Sequence, residues 1–200
     1  MNLIKSHSEE QWIQHINDEL AAKTKALKSP IIYLPAGNTP KALYKNWRET
    51  KPQFLQESRF LQIDEVNDGS KIFENFFSQE LGSTIPVEPF SDGTTQADIA
   101  LLGIGLNGHV GFHEPDIPIS FYSGCVPLSA KSCHSLELEK GTWGCTYGVG
   151  AFVKCKSILL LAHGPSKINI VNEISKEDCL LPAAIIAHLP QTQLIQYLEK

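Results

Sequence analysis

Two histidines four residues apart, with a glutamate next to the second, stand in a glycine-rich run at 103–115, GIGLNGHVGFHEP. Imidazole and carboxylate side chains either hold metals or move protons. On a helix, His109 and His113 would have the spacing of zinc ligands. Gly108, Gly111 and Pro115 oppose that helix, and the sequence offers no obvious third ligand, so no metal is expected. Two readings remain for His109: a core histidine with satisfied ring nitrogens, or a general acid or base oriented by Glu114. The same run contains G-x-G-x-x-G. A dinucleotide fingerprint follows a first strand, opens a helix and is answered by an acidic residue roughly 20 positions on. This one follows a third strand candidate and runs into helix breakers. Gly105 and its neighbours therefore suggest a backbone that passes close to a different ligand.

Three other turns carry chemistry. Asp64-Glu65 follows an apolar run directly. A carboxylate there can shuttle a proton between adjacent carbons of an open-chain sugar; the alternative is a capping or solvated pair. Gly37, Asn38 and Thr39 lie in PAGNTP, between a strand and a helix candidate. Free N–H groups and the helix dipole suit an anion there, or the segment is an ordinary capped turn. Gly164-Pro165-Ser166-Lys167 repeats the geometry and adds an ammonium. Two such turns at one sheet edge favour a phosphate over either alone.

These turns need elements to position them. Ser8-Glu9-Glu10-Gln11 reads as a capping box opening a helix whose apolar face holds Trp12, Ile13, Ile16, Leu20 and Leu27. Short apolar runs at 31–34, 60–63, 99–104 and 157–162 read as buried strands. Thr39 is expected to cap a helix with Pro40 in its first turn. Further helices are expected at 70–81, from Ser166, and at 181–188, with a last edge strand at 193–197. Strands separated by helices predict an α/β, single-domain Rossmann-like fold over residues 1–200, with a mostly parallel sheet and helices on both faces. In such sheets ligands bind outside the C-terminal strand ends, where all four turns fall.

Composition narrows the classes. A formal net charge of −5 leaves no basic surplus for nucleic acid. No apolar run reaches the roughly 20 residues of a membrane span, and the first residues do not read as a signal peptide. Five cysteines without a CxxC pair read as reduced thiols and, with the missing leader, as a cytoplasmic protein.

The motifs together resemble the glucosamine-6-phosphate deaminase family. GIGLNGHVGFHEP is similar to its GIGxxGHIxFNEP signature, Asp64-Glu65 to its LDE, and LPAGNTP to its TGSTP turn. Residues 146–150, TYGVG, resemble TVGVG, and residues 164–167 resemble GxxK. The resemblance implies isomerisation coupled to deamination of an amino-sugar 6-phosphate, without metal or organic cofactor. It implies Asp64 as the base between C1 and C2. It also implies His109 as the ring-opening group, oriented by Glu114 and Asn107. Gly37, Asn38, Thr39 and Lys167 would hold the phosphate, with Gly105 beside the substrate. Members are often oligomeric, so a homo-oligomer is an expectation by analogy alone. His113 stands where FNEP has Asn, and residues 120–145 form a shortened lid. Arg59 is the last arginine, so Lys131, His134 or Lys140 would have to replace the lid arginine of the family. The related 6-phosphogluconolactonases read DERxVP and GHTASLFP, which makes lactone hydrolysis the alternative activity. A catalytically inactive sugar-phosphate-binding protein is the alternative of another class.

Overall fold

The computed structural model describes residues 1–91 and 93–199. The chain runs β1 (Asn2–Lys5), α1 (Glu9–Lys25), β2 (Ile31–Leu34), α2 (Lys41–Thr50), α3 (Phe54–Glu57), β3 (Arg59–Gln62), β4 (Asp64–Val66), α4 (Ile72–Leu81), β5 (Val87–Glu88) and β6 (Ile99–Gly103). It continues through β7 (Ser123–Pro127), α5 (Ala130–Ser135), β8 (Trp143–Tyr147), α6 (Val149–Phe152) and β9 (Ser157–His163). A 3-10 turn (Pro165–Lys167), α7 (Ile168–Ile174), α8 (Pro182–Ala187) and β10 (Thr192–Tyr197) complete it.

Seven strands form one sheet in the order β1-β10-β9-β6-β2-β3-β5, and every pairing in it is parallel. Both faces are covered, which is why β6 and β9 read as continuous apolar runs without alternation. On one face Leu102, Ile158, Leu160 and Leu194 pack with α6, α7 and α8. On the other Leu101, Leu159, Leu161 and Ile195 pack with α1, α2 and α4. The Trp12 indole donates to the Ile195 carbonyl at 3.1 Å and ties α1 to β10. Ser8 caps α1 as expected, accepting from the Gln11 amide at 3.1 Å.

Residues 192–197 are not an edge strand: β10 sits between β9 and β1, and β1 forms the edge. Thr39 does not cap α2. That helix starts at Lys41 with Pro40 at its cap position and no side-chain cap bond, which leaves the Thr39 side chain turned toward Gly103.

A second sheet was not legible in the sequence. β4, β8 and β7 form an antiparallel layer in that order, with Asp64 opposite Thr146 and Glu65 opposite Cys145. It covers an apolar cluster of Val66, Phe73, Phe112, Val126, Leu128 and Cys133. The expected lid, 120–145, is therefore β7, α5 and most of β8. Register also corrects the expectation of five reduced thiols: Cys125 and Cys145 are cross-strand partners and form a disulfide. Cys133 and Cys155 are buried free thiols, and Cys179 is half-buried and free. The cysteines therefore no longer argue for a reducing compartment. No helix among the described residues is long and apolar enough to cross a membrane.

Candidate functional site

All four turns meet at the C-terminal ends of β2, β3, β6 and β9, around a cavity of about 500 Å³. Gly37, Asn38, Thr39, Asp64, Gly105, Asn107, His109 and Lys167 line it. Glu114 does not; it lies behind Asn107 and His109, 5 % exposed. Ser129, Lys131 and Ser132, at the start of α5, complete one wall. Of the three cations expected to replace an arginine, Lys131 lines the cavity, whereas His134 and Lys140 do not.

Asp64 and Glu65, adjacent in sequence, separate in role because successive strand residues point to opposite faces. Asp64 faces the cavity, 7 % exposed, and no described residue hydrogen-bonds its carboxylate. Burial, reinforced by the nearby Glu65 charge, pushes its carboxyl up to about 7. Glu65 turns the other way and accepts from the amides of Phe73 at 3.1 Å and Glu74 at 2.8 Å. It thereby caps α4, whose own cap residue, Lys71, supplies no side-chain bond.

The 104–115 segment forms turns rather than a helix, as its glycines and proline predict. The Gly105 amide donates to the His109 carbonyl at 2.9 Å, closing a loop that lays the His109 ring on Gly105. A Cβ at Gly105 would come within 2.3 Å of His109 Nε2, so only glycine leaves the ring its place.

Behind the ring, Glu114 Oε2 accepts from Asn107 Nδ2 at 2.7 Å, while Oε1 accepts from Ser129 Oγ at 2.9 Å and Ser132 Oγ at 2.7 Å. Burial works against the charge on Glu114, but the nearby His109 ring and the bonds from Ser132 and Asn107 outweigh it and pull the carboxyl down to about 2. Glu114 Oε2 is 3.6 Å from His109 Nδ1, an electrostatic contact outside hydrogen-bond range. Nδ1 of His109 is buried without a hydrogen-bond partner.

His113 is a core residue. Its Nδ1 accepts from the Val149 amide at 3.1 Å and its Nε2 lies 3.2 Å from the Ile117 carbonyl, so both ring nitrogens are used. Burial lowers its pKa, which favours this neutral form. Among the described residues no group of three or more His, Cys, Asp or Glu is arranged to hold a metal ion.

Also on the cavity wall, Gly37 has a φ of +96° with open space where a Cβ would stand. Lys167 donates to the Ile104 carbonyl at 2.5 Å; burial and the Lys131 charge lower its pKa. Sequence reasoning missed Ser129 and Ser132 at this cavity, whereas His163 and Ser166 belong to a turn it had singled out. Ser129-x-x-Ser132 carried one usable signal, since Ser129 caps α5 by accepting from the Ser132 amide at 3.1 Å.

No protein-family profile matches the chain. It is 27 % identical over 212 residues to a glucosamine-6-phosphate deaminase of Bacillus cereus strain B4264, covering 88 % of this chain and 78 % of that one. It is 25 % identical over 227 residues to the glucosamine-6-phosphate deaminase of Bacillus cytotoxicus, covering 98 % and 86 %. Among solved structures, a monomeric glucosamine-6-phosphate deaminase superposes with a TM-score of 0.81 at 20 % identity, covering 98 % of this chain and 97 % of that one. The 6-phosphogluconolactonase of Thermotoga maritima superposes with a TM-score of 0.73 at 20 % identity, covering 100 % of both. At that identity the two structures establish a shared fold.

Proposed function

We infer, from the premise that the chain belongs to the superfamily of glucosamine-6-phosphate deaminases and 6-phosphogluconolactonases, that it converts an amino-sugar 6-phosphate to a ketose 6-phosphate and ammonia. One observation carries the reading. A buried carboxylate whose pKa is raised to about 7 and an imidazole backed by a carboxylate face one cavity that Lys131, Lys167 and a glycine turn also line. His109 opens the sugar ring, held by Gly105 and backed by Glu114 and Asn107. Asp64 removes the proton at C2 and returns it to C1. The C2 imine left behind takes up water and releases ammonia. Gly37, Asn38, Thr39 and Lys167 hold the phosphate, and Lys131 supplies the charge that the absent arginine would have brought. The reaction so written uses no cofactor, and residues 1–200 act as one unit.

Lactone hydrolysis is the second reading, supported by lactonases that share the fold over the whole chain. The test is direct. Glucosamine 6-phosphate should yield fructose 6-phosphate and ammonia in equal amounts, with galactosamine 6-phosphate and 6-phosphogluconolactone assayed alongside. Turnover of the lactone alone would move the assignment to hydrolysis. No turnover of any of the three would leave a sugar-phosphate-binding protein.

A further inference from the structure

The lid is bonded to the proton relay itself. Ser129 caps α5 and Ser132 lies one turn further on, and both hydroxyls reach Glu114 Oε1. Each hydroxyl has one proton and two lone pairs. Ser132 gives its proton to Glu114. Ser129 has both Glu114 Oε1 and Ser132 Oγ at 2.9 Å for its one proton, while accepting from the Ser132 amide. Asn107 occupies one side of Oε2. Asn107, Ser132 and the shared Ser129 proton thus hold the carboxylate at both oxygens, and it stops 3.6 Å short of a His109 Nδ1 that has no hydrogen-bond partner. A buried anion beside an imidazole would normally close to a charge-assisted hydrogen bond of about 2.8 Å.

We propose that Ser129 and Ser132 are positioning residues that hold the Glu114 carboxylate back from His109, keeping the imidazole available as a base. The inference rests on the proposed role of His109, although the arrangement itself does not. Without the hydroxyls the carboxylate is less neutralised and free to close on Nδ1. His109 then retains its proton to higher pH. The other charged or titratable groups facing the cavity are Asp64 after β3, Lys131 on α5, His163 on β9, and Lys167. None of them hydrogen-bonds Glu114.

The experiment is a titration of the His109 ring by NMR in the free protein, with His109→Gln to assign its signal, for the wild type, Ser132→Ala, Ser129→Ala and Ser132→Thr. Ser132→Ala should raise the His109 pKa by about one unit, a tenfold change in proton affinity. Ser129→Ala should do so by less, and Ser132→Thr should restore the wild-type value. The acid limb of kcat/KM should move upward by the same amount, with activity recovered at higher pH and KM little changed. A merely structural role would depress activity at every pH and leave the ring titration alone. That result, or an unchanged titration in both alanine variants, overturns the proposal. A wild-type protein without turnover would remove the functional reading while the ring titration still decides this one.

Discussion

A carboxylate 7 % exposed, with no hydrogen bond from any described residue and another carboxylate next to it in sequence, keeps its proton up to about pH 7. In the unfolded chain the same group titrates near 3.9. The folded state therefore binds the proton more tightly, and Asp64 contributes stability below about pH 4. That contribution is lost as pH rises through about 7, where the ionised form is left buried. The full cost of ionisation is at most about 4 kcal/mol. Asp64→Asn removes it along with the proposed base. The variant should match the wild type in melting temperature at pH 4 and exceed it at pH 8, while kcat falls by about a thousandfold or more. Equal melting at both pH values would show that Asp64 is better solvated than its burial indicates. On the proposed reading this strain is the price of a base poised near neutrality, and it accounts for a carboxylate in a place where an amide would be more stable.

At the scale of elements, β4 and α4 are held together by Glu65, whose oxygens receive the first amides of the helix. A second carboxylate oxygen contact from Gln62 Nε2 at 2.9 Å locks the side chain further. Glu65→Ala should cost about 2 kcal/mol in denaturant unfolding, combining a lost cap with stranded amides. Because β4 also presents Asp64, turnover should fall with it, and Glu65→Gln should keep much of both. An unchanged midpoint would mean that water replaces the cap at no cost. Sequence patterning caught the elements with a strong period or an apolar run, such as α1 and β9. It missed β4, β7 and β8, because SGCVP and WGCTY alternate weakly and one carries a proline. Their pairing is decided by the strands opposite, which one sequence does not display. For the same reason the site was legible where it lies on loops after strands, and illegible at Ser129 and Ser132. Their meaning depends on Glu114, which is distant in sequence but within 2.9 Å in space.

At the scale of the molecule, the main sheet depends unequally on β1 and β10, its two strands at one side. β1 adds an edge to β10, whereas β10 bridges β1 and β9 and carries the anchor for Trp12. Removing residues 1–5 should leave a cooperatively folding protein with a lower melting temperature. Removing residues 192–199 should abolish cooperative unfolding, as seen by circular dichroism, because it exposes the length of β9 and strands the indole. Two truncations of equal severity would contradict that ranking. The order of the sheet also sets a timetable. Asn2 pairs with Gln193 and Lys5 with Gln196, so β1 waits for β10, which is synthesised much later. Between the synthesis of β9 and that of β10 the nascent chain carries an open β9 edge and an α1 without its β10 anchor, both able to find wrong partners. The sheet can close only after β10 has emerged, which makes β10 the strand on which completion of the sheet waits.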